Sequence, residues 1–275
     1  MKFFGLTGYP LGHSMSPLIH RELLKIANTD GSYELFEIPP EKLESEFHNL
    51  KTELNGFNVT IPHKIAIIPM LDELDDRARL FGAVNTVKTG EKVIGYNTDC
   101  FGFLRALEGA NIKLGGDVLL CGAGGVSRMF AFESVLANCN LTVAVRNSSI
   151  SSANIIKDEI KSKLNKNIKV VNLNDVCGKY DLIINGTPVG MYPNVNSCVL
   201  PKEIIQKSGA VFDAIYNPAE TLLIKYAKEA GVKYLNGLPM LVWQAAVAEE
   251  IWLNTKFSAN DINKVIKITE KELNK

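Results

Sequence analysis

Neither positive nor negative charge is in excess in this sequence. The 275 residues include 30 Lys and Arg against 30 Asp and Glu, so the formal net charge is zero. A protein that holds nucleic acid or an anionic membrane through its overall field carries a clear excess of basic residues. We therefore expect neither nucleic acid nor a membrane as a partner, and any anion site must be local.

Cysteines are few, and long apolar runs are missing. The five cysteines are scattered and show no CxxC spacing, so the sequence predicts neither a disulfide framework nor a metal site. They fit small, partly buried side chains in a reducing cytosol. No run approaches the ~20 apolar residues of a membrane span, and Gly5, Gly8 and Pro10 interrupt the apolar core that a signal peptide needs. The sequence thus predicts a cytoplasmic protein.

Repeats and low-complexity segments are also absent, and short strand-like runs alternate with helix-like runs. This alternation predicts an α/β fold with parallel sheets. Strands are predicted at 3–7, 33–37, 56–60, 117–121, 141–145, 169–171, 182–185, 211–215 and 233–234. Helices are predicted at 17–27, 41–50, 64–70, 126–137 and from residue 238 onward.

The chain is long enough for two modest domains, and a second α/β unit begins near residue 100. Side chains at helical spacing after residue 238 predict a terminal helix that packs back on the first domain. We therefore predict one discontinuous domain, 1–100 plus 238–275, and a second domain over 101–237.

A glycine-rich turn follows the apolar strand predicted at 117–121. It reads Gly122, Ala123, Gly124, Gly125 and Val126, and a helix follows it. Glycines there let backbone N–H groups approach a pyrophosphate, and the helix N-terminus adds partial positive charge. The strand, turn and helix predict a dinucleotide site, and a purely structural turn is the alternative.

The end of the next strand distinguishes between cofactors. An acidic residue at this place binds the ribose 2′-OH of NAD, whereas an arginine accommodates the 2′-phosphate of NADP. The sequence has Arg146 and Asn147 there and no carboxylate. Arg146 also suits stacking on an adenine ring, and the alternative is a solvated surface arginine. The pattern favours NADP.

Polar residues interrupt the apolar pattern at three places in the first part of the chain. Ser14 and Ser16 precede a helix, where two hydroxyls suit a carboxylate, although Ser16 could instead cap that helix. Lys64 follows a strand end and a proline turn. Asn85 and Asp99 each lie beyond a short apolar strand. Taken singly, Lys64 could be a surface lysine, and Asn85 and Asp99 could be turn residues. Together with the two serines they form a carboxylate receptor with a Lys–Asp pair.

Eight segments in this order and spacing resemble the shikimate dehydrogenase family. They are GHSMSP, GFNVTIPHK, GAVNT, GYNTD, GAGGVS, NGTPVGM, DAIYNP and NGLPMLVWQA. The sequence departs from the family after Arg146, where a second arginine is replaced by Ile150 and serines. One phosphate-binding charge is therefore missing, so NADP is expected as the cofactor and NAD at lower preference.

The resemblance implies an N-terminal α/β substrate domain and a Rossmann-type dinucleotide-binding domain that flank a cleft. It assigns Lys64 and Asp99 as the catalytic pair. Matching positions assign the substrate to Ser14, Ser16, Thr60, Lys64, Asn85, Asp99, Tyr216 and Gln244. They assign the cofactor to Gly122, Ala123, Gly124, Gly125, Val126, Arg146, Asn147, Ala214, Gly237 and Asp76.

The implied reaction is the reversible, NADPH-dependent reduction of 3-dehydroshikimate to shikimate in aromatic amino-acid (chorismate) biosynthesis, by a monomer or a homodimer. A quinate or aminoshikimate dehydrogenase is the nearest alternative, and Ser14 and Ser16 favour shikimate because quinate-preferring relatives often carry a threonine at one of these positions. A methyltransferase would explain the glycine turn but not the Lys64–Asp99 pair. A catalytically silent nucleotide-binding regulator would be expected to lack one member of that pair.

Overall fold

The computed structural model describes residues 1–12 and 14–275 of the chain. His13, which belongs to the GHSMSP segment, lies outside the described residues. The chain divides into two compact units. The first unit comprises Met1–Phe103 and Leu241–Lys275, and the second unit comprises Leu104–Met240.

Strands and helices alternate through both units, and the predicted α/β class is confirmed. In chain order the strands are β1 Lys2–Gly8, β2 Gly31–Glu37, β3 Gly56–Val59, β4 Glu73–Leu74, β5 Thr86–Lys88, β6 Ile94–Tyr96, β7 Asp117–Cys121, β8 Asn140–Val145, β9 Lys169–Asn172, β10 Leu182–Asn185, β11 Ala210–Asp213 and β12 Lys233–Leu235. The helices are α1 Ser16–Ile26, α2 Leu43–Glu53, α3 His63–Ala66, α4 Asp76–Phe81, α5 Asp99–Gly109, α6 Gly125–Leu136, α7 Ile150–Leu164, α8 Lys202–Gln206, α9 Leu222–Glu229, α10 Leu238–Leu253 and α11 Ala259–Leu273. No described helix is long and apolar enough to cross a membrane.

The sheet of the first unit has the strand order β2-β1-β3-β5-β6-β4. Strand β1 pairs in parallel with both β2 and β3, but β5 is antiparallel to β3 and to β6. The prediction of parallel sheets is therefore wrong for this unit. Only a short loop joins β5 to β6, and a parallel connection needs a crossover of a dozen or more residues.

The sheet of the second unit has the order β12-β11-β10-β7-β8-β9, and every pairing in it is parallel. Val118, Leu119 and Leu120 of β7 are fully buried, which explains their continuous apolar run. The chain runs outward from β7 to β9 and then returns to β10 on the other side of β7. Ligands of such sheets bind at this switch point, beyond the carboxyl ends of the strands.

Helix α10 packs on the sheet of the first unit. The Trp252 ring stacks on Phe4, with ring centroids 4.9 Å apart, and its Nε1–H donates to the Val87 carbonyl at 2.9 Å. Gly56 in β3 allows this contact, because an added Cβ would lie 2.3 Å from Trp252 Nε1. The indole thus holds the end of α10 against β1 and β5, which lie within the first hundred residues.

The helix predicted over 64–70 is split in the structure. Helix α3 ends at Ala66, and a 3-10 turn at Ile68–Met70 follows it. Pro69 lies in the first positions of that turn. Proline lacks the N–H that continues an α-helix, which accounts for the difference.

Candidate active site

Lys64 and Asp99 form an ion pair in the first unit. Lys64 Nζ lies 2.6 Å from Asp99 Oδ2, and the two side chains are 31% and 20% exposed. Lys64 lies in α3, just past the end of β3, while Asp99 is the first residue of α5, just past β6. Both charges therefore follow strand ends, and both stay partly open to a ligand. The structure brings into contact the two residues that the sequence analysis grouped as a Lys–Asp pair.

Asn85 fixes the other oxygen of the same carboxylate. Its Nδ2 donates to Asp99 Oδ1 at 2.8 Å and to Thr98 Oγ1 at 3.0 Å. Its Oδ1 accepts from the Thr98 backbone N–H at 2.6 Å. Because the amide is held at both ends, Asp99 is oriented with one oxygen toward Lys64. The expectation that Asn85 follows a strand is wrong: it precedes β5, which begins at Thr86.

A buried polar layer supports Asn85 and was not recognised as functional from the sequence. Asn58 Nδ2 donates to the Asn85 carbonyl at 3.1 Å and to Thr86 Oγ1 at 2.9 Å. Asn58 Oδ1 accepts from the Tyr33 hydroxyl at 2.7 Å. The available signal was a polar residue inside β3, whose four residues are all buried. Buried polar groups of this kind need partners, and here they form a network.

Ser14 and Ser16 lie at the start of α1. Ser16 is the first residue of the helix, the N-cap position is Met15, and the side chain of Met15 makes no capping hydrogen bond. The alternative in which Ser16 is the cap is therefore wrong, because its own backbone is already helical. Ser14 Oγ accepts instead from the Ser16 N–H at 3.2 Å. The Ser16 hydroxyl therefore does not cap the helix.

Gln244 and Thr60 are placed differently with respect to the Lys64–Asp99 pair. Gln244 Oε1 accepts from Asn85 Nδ2 at 3.4 Å, so Gln244 lies beside that pair. Thr60 donates its backbone N–H to the Thr7 carbonyl at 2.9 Å. Within the described residues no side-chain hydrogen bond joins Thr60 to this group.

The second unit contains a cavity of about 360 Å³ at the carboxyl ends of β7, β8 and β10. It is lined by Gly122, Ala123, Gly124, Val145, Arg146, Ser149, Ser152, Leu173, Gly186, Thr187, Pro188 and Val189. Arg146, Gly122, Ala123 and Gly124, which the sequence analysis assigned to the cofactor, line this cavity. Gly125 and Val126, the last two residues of the glycine turn, do not line it and belong to the first turn of α6. Asn147 does not line it, and its Oδ1 accepts from Asn172 Nδ2 at 2.5 Å. Ser149, Ser152 and Thr187 were not named as site residues from the sequence.

The glycine turn has the shape that a pyrophosphate requires. Gly122 has a φ of +110°, and an added Cβ would lie 2.9 Å from both Ser127 Oγ and Thr187 Cγ2. Around Gly124 and Gly125 an added Cβ would meet nothing within 4 Å, so the backbone there is open. Gly124 is the N-cap of α6 and supplies no side-chain cap. The N–H groups of the first helical turn can therefore bind phosphate oxygens, and these residues fit a dinucleotide.

A buried carboxylate, Asp213, supports the loop beside that cavity. Its Oδ1 accepts from Asn185 Nδ2 at 2.9 Å and from the Ile215 N–H at 3.1 Å, and its Oδ2 accepts from Thr221 Oγ1 at 2.6 Å. Asn185 Oδ1 in turn accepts from the N–H and the hydroxyl of Thr187. Burial raises the pKa of Asp213 to about 6, and the three hydrogen bonds oppose this rise.

Asp213→Asn should change how stability depends on pH. The carboxyl has an ordinary pKa of 3.8 and a folded pKa of about 6. Between these values the folded chain keeps a proton that the unfolded chain has released, so the free energy of unfolding falls as pH rises. Across the whole range the free energy of unfolding falls by about 3 kcal/mol, and about 1 kcal/mol of this fall lies between roughly pH 5 and 7. Urea unfolding of both proteins at these two pH values should show the wild type losing this amount relative to the variant. An unchanged difference would contradict the raised pKa.

Four further predicted site residues lie elsewhere in the two units. In the second unit, Gly237 touches the backbone of Ala214, where an added Cβ would lie 2.1 Å from the Ala214 carbonyl oxygen. Tyr216 is partly buried, which raises the pKa of its phenol. In the first unit, Asp76 begins α4, and its side chain is 98% exposed and paired with Arg79 at 3.3 Å.

Comparison with known proteins identifies the family. The family model of the shikimate dehydrogenase substrate binding domain matches residues 6–87. A protein named shikimate dehydrogenase (NADP(+)) from Methanococcus maripaludis strain C6 is 44% identical over 261 residues, which cover 93% of this chain and 92% of that protein. The chain belongs to the shikimate dehydrogenase family. The resemblance carried by the eight sequence segments is thereby confirmed.

Solved structures of the shikimate dehydrogenase family share the fold over the whole length. A crystal structure of shikimate dehydrogenase in complex with NADP+ has a TM-score of 0.89 and 40% identity, covering 98% of this chain and 95% of that one. The shikimate 5-dehydrogenase from Thermus thermophilus, in complex with NADP(H) and shikimate, has a TM-score of 0.88 and 32% identity, covering 98% of this chain and 100% of that one.

Proposed function

We propose that this chain catalyses the reversible, NADPH-dependent reduction of 3-dehydroshikimate to shikimate in aromatic amino-acid (chorismate) biosynthesis. The observation that carries the proposal is the contact of 2.6 Å between Lys64 and Asp99, with Asn85 holding the second carboxylate oxygen. An acid–base pair held in this way is what a ketone needs when it accepts a hydride. The names and bound ligands of the relatives support this substrate and this cofactor.

Lys64 handles the proton in this proposal. Bound NADPH supplies the hydride. During reduction the Lys64 ammonium donates a proton to the oxygen on which negative charge develops, and during oxidation the amine takes it back. Asp99 holds the Lys64 Nζ through one oxygen, and Asn85 fixes its other oxygen. The pair is thereby aligned before the reaction, which lowers the reorganisation that the reaction requires.

In this proposal each unit binds one small molecule. We assign the substrate to the first unit, where the family model of a substrate binding domain matches, and NADP to the second unit, where Arg146 and the residues 122–124 of the glycine turn line one cavity. The predicted boundaries at residues 100 and 238 fall in or beside α5 and α10, the helices in which the division between the units lies. The oligomeric state, monomer or homodimer, and the cytoplasmic location stay predictions.

A steady-state comparison tests the proposal. Shikimate and quinate are each assayed with NADP and with NAD, and formation of the reduced nicotinamide is followed. We expect shikimate with NADP to give the highest kcat/KM of the four combinations. A preference for quinate would identify a sister enzyme of the same family. Absence of nicotinamide reduction with either substrate would reject the proposal and favour a silent nucleotide-binding protein.

Ser14→Ala and Ser16→Ala should mainly raise KM for shikimate. We assign the two hydroxyls to the substrate carboxylate, which does not change during the reaction, so their loss removes binding that is uniform through the reaction. A lost partner of a charged group costs roughly 1–3 kcal/mol, so KM should rise about tenfold or more. Initial rates and melting temperatures should be measured together. A lowered melting temperature at unchanged KM would show that the hydroxyls are structural.

A further inference from the structure

A buried carboxylate of the second unit takes no part in the proposed chemistry. Asp213 is the last residue of β11 and is fully buried. It accepts hydrogen bonds from the Asn185 amide, the Ile215 N–H and the Thr221 hydroxyl, and none of these three donors is charged. Burying a carboxylate among neutral donors costs stability, which points to a task beyond packing.

Asp213 sets the orientation of Asn185, its neighbour at the end of β10. A carboxylate accepts hydrogen bonds but donates none, so the Nδ2 of Asn185 must face Asp213, at 2.9 Å. Asn185 Oδ1 then faces the other way and accepts from the Thr187 N–H at 3.0 Å and from the Thr187 hydroxyl at 2.7 Å. Thr187 Oγ1 in turn accepts from the Val189 N–H at 3.2 Å. Through one amide, the carboxylate thus determines the conformation of the loop 186–189.

The loop 186–189 lines the cavity that we assign to NADP, and it also packs on the glycine turn. The Ser127 hydroxyl, in the first turn of α6, donates to the Gly186 carbonyl at 3.1 Å. An added Cβ on Gly186 would clash with Ser127 Oγ, and one on Gly122 would lie 2.9 Å from Thr187 Cγ2. Because loop and turn are in direct contact, a shift of the loop would move the backbone that we assign to the pyrophosphate.

Asp213 fixes a second segment at the same time. The oxygen that accepts from Asn185 also accepts from the Ile215 N–H at 3.1 Å. Between these residues, the Ala214 N–H donates to the Asn185 carbonyl at 3.0 Å. The segments that follow β10 and β11 are therefore joined to each other at the carboxyl ends of their strands, and Ala214 is itself assigned to the cofactor.

We propose that Asp213 is a positioning residue for the cofactor, which acts through Asn185 to hold the loop 186–189 against the glycine turn. The inference rests on the proposed function, because it concerns the cavity that we assign to NADP. Asp213 does not line that cavity, so its effect on the cofactor must pass through its neighbours. A loop that is already held in its binding conformation loses less freedom when the ligand binds, which strengthens binding.

Asp213→Ala should raise the dissociation constant of NADPH about tenfold, the usual effect of one lost buried hydrogen bond. Isothermal titration calorimetry without substrate measures this constant at pH 8, above the raised pKa of the Asp213 carboxyl. NADH should weaken by the same factor, because it differs from NADPH only in the 2′-phosphate, which we assign to Arg146. An increase confined to NADPH would contradict the proposal.

Asp213→Asn should restore the wild-type dissociation constants. Its Oδ1 can accept from Asn185 and Ile215 as the carboxylate does, and its Nδ2 can donate to Thr221 Oγ1. The position of the loop 186–189 is then kept although the charge is lost. An Asp213→Asn variant as impaired as Asp213→Ala would show that the hydrogen bonds to Asn185 do not account for the effect.

Thr221→Val is the matched control. It removes the hydrogen bond to the other carboxylate oxygen, and Thr221 does not line the cavity. Because the Thr221 hydroxyl also caps α9, this variant should have a lower melting temperature and an unchanged dissociation constant for NADPH. A Thr221→Val variant that binds NADPH as weakly as Asp213→Ala would show general loosening of the unit and overturn the proposal. So would an Asp213→Ala variant with a lower melting temperature and wild-type binding.

A double variant tests whether Asp213 acts through Asn185. Asn185→Ala should raise the dissociation constant as Asp213→Ala does, and the double variant should be little worse than either one. Effects that multiply would overturn the proposal. Asn185→Ala keeps the carboxylate, so it tests the same link if Asp213→Ala does not fold, and wild-type NADPH binding in Asn185→Ala would reject it.

The outcomes for the inference and for the proposed function are distinguishable, because NADPH binding is measured without turnover. If the wild type binds NADPH and Asp213→Ala binds it equally well, only the role of Asp213 is rejected. If the wild type binds NADPH but oxidises no shikimate, the proposed reaction is rejected, while the dissociation constants decide the role of Asp213. If the wild type binds no NADPH, both are rejected.

Discussion

Lys64→Ala should lower kcat for shikimate oxidation by about 10²- to 10⁴-fold, the range expected when a general acid–base group is lost. KM for shikimate should change much less, because Lys64 is only one of the residues assigned to the substrate. Stopped-flow or steady-state absorbance of NADPH measures both constants. Lys51→Ala provides a control, since Lys51 is an exposed lysine of α2 in the same unit. A Lys64→Ala variant with near wild-type kcat would remove Lys64 from the mechanism.

Asp99→Asn should lower kcat strongly as well. The amide keeps the shape of the carboxylate and its contact with Asn85, but the charge that faces Lys64 Nζ at 2.6 Å is lost. Because the two residues act as a unit, the double variant should be little worse than the worse single variant. Losses that multiply in the double variant would show that Lys64 and Asp99 work independently.

The sequence predicted the second unit well because its strands are buried on both faces. Strand β7 reads as an uninterrupted apolar run between polar or glycine residues, and its predicted bounds of 117–121 are those observed. The strand predicted over 211–215 ends earlier, at Asp213. The Ile215 N–H bonds to the Asp213 side chain, and such a local contact leaves no periodic signal.

The short strands of the first unit were beyond prediction from periodicity. β5 and β6 have three residues each and β4 has two, which is too few to show an alternating pattern. The antiparallel pairing of β5 with β3 and with β6 depends on a tight connection and on the packing of the whole sheet. A sequence of alternating helices and strands does not reveal that one sheet is mixed.

The members of the candidate site and the Lys64–Asp99 pair were predictable, but the hydrogen-bond network that supports them was not. Lys64 and Asp99 were each identified by their place after a strand end, yet only the fold brings together side chains 35 positions apart. Asn58 and Thr187 stood inside recognised segments and had no role assigned to them. Their functions as hydrogen-bond partners arise from tertiary contacts, which local sequence patterns do not encode.

Arg146→Ala should weaken the use of NADP while barely changing the use of NAD. Arg146 follows β8 and lines the same cavity as Gly122. No acidic residue lies among the described residues that line this cavity, so nothing in the lining repels a 2′-phosphate. We expect wild-type kcat/KM to favour NADP over NAD by about 10- to 100-fold, because a charge-assisted pair is about twice as strong as a neutral hydrogen bond.

A single exposed arginine should give preference rather than exclusivity. The second arginine of the family motif is replaced here by Ile150 and serines, so the ratio should stay below that of relatives with both charges. Added salt should lower the ratio of kcat/KM with NADP to kcat/KM with NAD, because the contact between Arg146 and the 2′-phosphate is electrostatic and open to solvent. Kinetics with each cofactor at low and high salt, for the wild type, Arg146→Ala and the control Arg21→Ala, measure this directly. A wild type that prefers NAD would show that Arg146 does not recognise the phosphate. A variant equally impaired with both cofactors would leave the arginine only the role of stacking on the adenine that both cofactors share.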